Sequence, residues 1–157
     1  DMIWSVEAFL HAEMPGLYFA EASRLLKPGG RLVLCDDFLA EQHGKTTERN
    51  RTGRERWLQA YQQGWHAPSL ISLSQAEAMA RERNLLLICN LNLTPYLRLR
   101  ALPDWLALAI LAVGQRLPVR HAILPSMLGS MALQQCLNRA WIEYHFCVFE
   151  KRHPGIE

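Results

Sequence analysis

Hydrophobic and polar positions along this chain fall into runs whose period changes several times, and those changes mark out its elements. An apolar start at residues 2–6 leads through Glu7 and His11 to Pro15. A proline suits the first turn of a helix, where its missing N–H would have no partner anyway. Beyond it Tyr18, Ala22 and Leu25 recur at helical spacing and Phe19, Ala22 and Leu26 interleave with them, giving one broad apolar face. Lys27-Pro28-Gly29-Gly30 ends that helix, because proline fixes φ and the glycines accept a tight reversal. The run 32–35 that follows is continuously apolar, the pattern of a strand buried on both faces. Strand, helix, glycine turn and strand together predict a right-handed βαβ unit with parallel strands.

From 41 to 63 the chain turns polar, and Trp57, Tyr61 and Trp65 recur every fourth residue, which predicts a loop followed by a helix with one aromatic stripe. Ser74, with Glu77 three residues on, predicts a capped helix over 75–83. Residues 85–93 read as a strand, 103–117 and 125–139 as two unusually apolar helices, 141–149 as a last strand and 150–157 as a polar tail. The order β-α-β-(α)-α-β-α-α-β is an α/β layer architecture with a helical insertion before the last strand.

Composition narrows the partners. The 157 residues support a genuine core, half of them are hydrophobic, and the net charge is only +2. That charge, not arranged as one basic block, gives no electrostatic footprint for nucleic acid. Cys35, Cys89, Cys136 and Cys147 lie far apart with no metal-ligand spacing, so they read as reduced thiols of a cytoplasmic protein. The most apolar stretch, 105–113, is far shorter than the roughly 20 residues that span a bilayer, so no stable membrane insertion is expected. The chain opens on Asp1 and enters an apolar strand at once, which leads us to expect the C-terminal part of a longer gene product.

In an open parallel sheet, ligands bind beyond the carboxyl ends of the strands. Two stretches fall there: 5–11 after the first strand and 36–38 after the second. His11 can exchange a proton near neutral pH, and Asp37 could orient it if the two strands are adjacent. On spacing alone the plainer reading comes first: His11 fills the strand-to-helix turn while Asp36 and Asp37 sit in solvent. Glu7, four residues before His11, would share a helical face with it, either as a substrate acceptor or as a local ion-pair partner. The other histidines have no metal-ligand spacing, and neither a P-loop nor a Gly-x-Ser-x-Gly elbow is present. No metal site is expected. The apolar helices of 103–139 fit a core or homodimer face, or a wall over a lipophilic substrate.

The stretches Ile3-Trp4-Ser5-Val6-Glu7-Ala8-Phe9-Leu10-His11-Ala12 and Leu26-Lys27-Pro28-Gly29-Gly30-Arg31, with the buried strand and Asp36-Asp37 that follow, resemble class I S-adenosylmethionine-dependent methyltransferases. The Glu-Ala-x-x-His-Ala piece is similar to small-molecule enzymes of the sterol, tocopherol, quinone and natural-product sugar types. The resemblance implies the C-terminal half of a Rossmann-like doubly wound α/β sheet, strands 4 to 7 of that fold, with a helical insertion before an antiparallel last strand. Within 1–157 it implies post-cofactor-loop motifs at 1–40, a lid and substrate loop at 41–72 and the insertion at 102–139. It implies His11 and Asp37 as the deprotonating pair, and Trp4, Ser5 and Val6 beside S-adenosylmethionine. Glu7, Trp57, Tyr61 and Trp65 would then serve a small, lipophilic or hydroxylated acceptor. The family's glycine-rich cofactor loop and ribose-binding acid have no counterpart in this sequence. Two other readings stand beside this one: another Rossmann-like enzyme such as a dehydrogenase, and a noncatalytic binding or dimerisation module using 103–139.

Overall fold

The computed structural model describes residues 1–41, 48–99, 103–114 and 123–153. They fall into two compact units, one of residues 1–41, 68–97 and 143–157, the other of 42–67 and 98–142.

The first unit is built on a four-stranded sheet. β1 (Met2–Val6) and β2 (Arg31–Leu39) pair in parallel, with Trp4 opposite Val33 and Val6 opposite Cys35. β3 (Leu85–Asn92) pairs antiparallel with β4 (Ile142–Lys151), and the order across the sheet is β1-β2-β4-β3. The mixed sheet with an antiparallel final strand is the one expected. Helix α1 (Pro15–Leu25) joins the parallel pair, starting at a proline as anticipated, and Gly29 at φ 75° makes the reversal into β2. The continuous apolar run does buy burial on both faces: Leu32 and Leu34 are fully enclosed on one side and Val33 nearly so on the other. Phe9, Phe19, Phe38 and Phe149 form the centre of the core, with ring centroids 5.3 to 6.0 Å apart along the series.

Three boundaries differ from the sequence expectation. β2 runs on to Leu39, so Asp36 and Asp37 lie inside the strand and not beyond it. Helix α3 (Leu73–Arg81) is capped by Ser72 and not Ser74: Ser72 Oγ accepts from Gln75 N at 3.2 Å, and Gln75 Oε1 accepts from Ser72 N at 3.0 Å. The 150–157 tail begins in β4, which continues to Lys151 because that ammonium donates to the Ser23 and Leu26 carbonyls at the end of α1, at 2.6 and 2.8 Å.

The second unit is helical. In it α2 (Glu48–Trp65) packs on α5 (Ile123–Asn138), and α4 (Asp104–Gly114) also lies on α5. The two longer helices touch where Gly64 meets Gly129; a Cβ on Gly64 would stand 2.5 Å from Gly129 Cα. Around that crossing Trp57, Tyr61, Ala132 and Cys136 are buried. Helix α5 ends on Ala140 at φ 51°, with Trp141 N–H donating to Cys136 O and Ala140 N–H to Leu137 O. The Arg139 guanidinium lies over the rings of Trp57 and Trp141, 5.9 and 5.0 Å from their centroids. Expectations for 42–47, 100–102 and 115–122 fall outside the described residues.

Candidate active site

The carboxyl ends of β1 and β2 lie side by side, as the parallel register requires. Past Val6 the backbone turns sharply: Glu7 takes φ 49°, a left-handed conformation unusual for a side chain other than glycine, while its N–H still donates to Cys35 O at 2.9 Å. Residues Phe9–His11 then curl into a single 3-10 turn. Glu7 therefore precedes the turn and does not share a helical face with His11, which corrects the sequence expectation.

What holds this turn is Asp36. Its fully buried carboxylate accepts Leu10 N–H at 3.2 Å and Asp37 N–H at 2.9 Å, and the Ala8 and Phe9 amides also point to it. Burial pushes the Asp36 carboxyl above the usual carboxylate range, and those four amides pull it partly back. Asp37 is also buried, at 6 % exposure, but neighbouring strand residues point to opposite faces, so it sits across the sheet from Asp36. His11 is exposed at the end of the turn.

Of the remaining expected residues, Trp4 and Val6 are exposed on one face of β1, at 65 and 57 %, and Ser5 is buried on the other. Ser5 hydrogen-bonds Tyr18, whose phenol burial pushes upward. Trp57 and Tyr61 are buried in the second unit, and Trp65 is 39 % exposed.

Two residues at this end of the sheet were not singled out from the sequence. The Tyr144 hydroxyl donates to Glu7 Oε1 at 3.4 Å, and burial, with Cys35, Glu7 and Asp36 adding to it, pushes that phenol strongly upward. His145 is buried with Nδ1 2.7 Å from Asn90 Oδ1 and Nε2 3.1 Å from Glu143 Oε2, its ring edge-on to Phe38. Both become legible once the start of β4 is placed beside the carboxyl end of β2. A mostly apolar cavity of about 510 Å³ lies between β1 and α1, lined by Ile3, Met14, Leu17 and Leu25 with Glu13 and Glu21.

The sheet order and the turn held at the strand ends define a class of fold, that of the class I S-adenosylmethionine-dependent methyltransferases, which this chain resembles. Residues 1–34 match the family model described as a methyltransferase domain. Over 41 residues, 26 % of this chain and 15 % of the relative, the sequence is 49 % identical to the dimethylglycine N-methyltransferase of Parasynechococcus marenigrum (strain WH8102). A Galdieria sulphuraria protein assigned as a sarcosine dimethylglycine methyltransferase superposes with a TM-score of 0.61 at 16 % identity, covering 96 % of this chain and 52 % of that one. The geranyl diphosphate C-methyltransferase of Streptomyces coelicolor A3(2) gives 0.61 at 17 % identity, covering 96 % and 46 %. The chain thus spans about half the length of these solved structures and a smaller part of the curated relative.

Proposed function

We propose that this chain is the substrate-side part of a methyltransferase that moves a methyl group from S-adenosylmethionine to a small, lipophilic or hydroxylated acceptor. The observation that carries the reading is the turn at 7–11, held by Asp36 at the carboxyl ends of two parallel strands, in the stretch that matches a methyltransferase domain. Several of the structures that share the fold hold S-adenosylmethionine or its demethylated product. The residues present fit one side of that cofactor: Trp4 and Val6 offer an open apolar wall at the end of an edge strand. When bound, the cofactor supplies an electrophilic methyl group on a sulfonium.

The chain's own contribution is orientation and proton removal. An acceptor that carries a proton would have to lose it on gaining that methyl group, so the chain's residues would hold the acceptor in place and take up its proton. His11 takes that proton, and Asp37 is the carboxylate that steadies the resulting charge. Glu7, with the Tyr144 hydroxyl on its carboxylate, holds a polar group of the acceptor. Of the aromatic stripe on α2, Trp65 is the residue open to an acceptor, while 1–40 carry the strand-end motifs, 41–72 the substrate loop and 102–139 the insertion. Its thiols suit a cytoplasmic setting.

The test is turnover of radiolabelled methyl groups by the complete gene product. His11→Ala and Asp37→Asn should each slow transfer by about 10²-fold with cofactor affinity little changed. Unchanged turnover would remove the proton-abstraction role.

A further inference from the structure

The single turn of Phe9–His11 is too short to hold itself. It is closed by His11 N–H on Ala8 O at 3.2 Å and Ala12 N–H on Phe9 O at 2.9 Å, and a one-turn helix leaves the carbonyls at its end to find partners elsewhere. Asp36 serves the amide side of the turn. On the carbonyl side the partner is Ser69: its N–H donates to Leu10 O at 3.1 Å, and its hydroxyl donates to Ala12 O. Those are the carbonyls immediately before and after His11. One residue can serve both because a serine carries a second donor beside its backbone N–H; an alanine there would keep only the bond to Leu10.

Ser69 is itself fixed. It is 1 % exposed, and it stands between Pro68, whose ring sets φ, and the buried Leu70. Two residues further on, Ile71 O accepts Leu39 N–H at 2.9 Å and Ser72 bridges to Leu39, which ties this segment to the end of β2. Strand β2 therefore reaches His11 by two routes. Asp36 takes the amides of the turn, and the segment anchored at Leu39 takes its carbonyls. The His11 backbone is gripped from both ends while its side chain stays at the surface.

We propose that Ser69 is a positioning residue for His11. By holding the carbonyls on either side, it sets the direction in which the imidazole leaves the turn. Its weight in catalysis rests on His11 taking the acceptor's proton, as proposed above, and Ser69 acts only through that ring. A proton acceptor displaced by a fraction of its hydrogen-bond reach loses much of its effect, so the loss of one hydroxyl should be visible in the rate.

A double-mutant cycle in the complete gene product tests this. Ser69→Ala should slow methyl transfer about tenfold with cofactor affinity unchanged. In a His11→Ala background it should cost nothing further, because a ring that is gone cannot be misplaced. Ser69→Thr, which keeps the hydroxyl, should turn over about tenfold faster than Ser69→Val, which has the same shape without it. A second readout does not depend on turnover. In a heteronuclear NMR spectrum of the 157-residue chain, the His11 ring signal, identified by its loss in His11→Ala, should move in Ser69→Ala and Ser69→Val. It should stay near the parent position in Ser69→Thr, and the His153 signal should not move in any of them. A moved ring signal together with unchanged turnover in His11→Ala would keep Ser69's hold on the ring and overturn the proton-transfer reading instead. An unmoved ring signal overturns the proposal outright. Where His11→Ala does slow transfer, equal turnover of the threonine and valine variants, or costs that multiply in the double variant, overturns it as well.

Discussion

Asp36 owes its place to backbone amides: four N–H groups converge on one buried carboxylate and fix the turn that carries Glu7 and His11. Asp36→Asn would turn an NH₂ toward those donors and should cost roughly 1–3 kcal/mol of stability. The folded state binds the Asp36 proton more tightly than the unfolded chain does. This residue therefore contributes stability below the ordinary carboxylate range, and the contribution is lost as pH rises through the raised value. Urea midpoints followed from acid toward neutral pH should decline more in the parent protein than in Asp36→Asn; parallel profiles would remove Asp36 as the source. Sequence alone suggested Asp37 as a partner for His11 and gave Asp36 no part in holding this turn. In a strand with only one buried face, alternation would have told the two aspartates apart. Here both faces of β2 are covered, so neighbouring positions look alike in sequence and only the packing of Phe9 and Leu10 separates them. Burial also pushes the Cys147 thiol up to about 12, which keeps it protonated at neutral pH.

Among the elements, the α2–α5 contact is set by absence of side chains. A methyl group on Gly64 would meet Gly129 Cα and Pro125 O at 2.5 Å, so backbone on both sides would have to move. Gly64→Ala should destabilise the helical unit by about 1–3 kcal/mol, read as a lower midpoint in Trp57-dominated near-ultraviolet dichroism; an unchanged midpoint would mean the crossing relaxes freely. The helices themselves were foreseen from their periodicity, but this glycine contact joins residues far apart in sequence and no local pattern announces it. The start of α3 shows a different limit. Ser72 with Gln75 and Ser74 with Glu77 are equally good capping pairs as written. The chain uses the first, since Leu39 N–H donates to Ile71 O and the Leu39–Ser72 bridge anchors the backbone at that point.

For the whole molecule, the fold was readable because the order of the elements, and not any one of them, carries the pattern of the methyltransferase sheet. The site was readable only in part, since its second layer, Tyr144 and His145, arrives from a strand more than a hundred residues beyond the turn it serves. In the function proposed above, the exposed wall of Trp4 and Val6 is only one side of the cofactor site. Calorimetric titration of the 157-residue chain with S-adenosylmethionine should accordingly show binding no tighter than about 1 mM, and micromolar binding would overturn this. The place of β4 also bears on how the molecule is made. It follows β3 in the chain, yet it lies between β2 and β3, and among the described residues β3 has no other strand beside it. While the ribosome still holds the residues up to Lys151, β1, α1 and β2 can pair, but β3 must wait as an unpaired, apolar segment. The sheet closes only once β4 has left the ribosome, and any stop in translation before β4 leaves β3 and the facing edge of β2 for chaperones to guard.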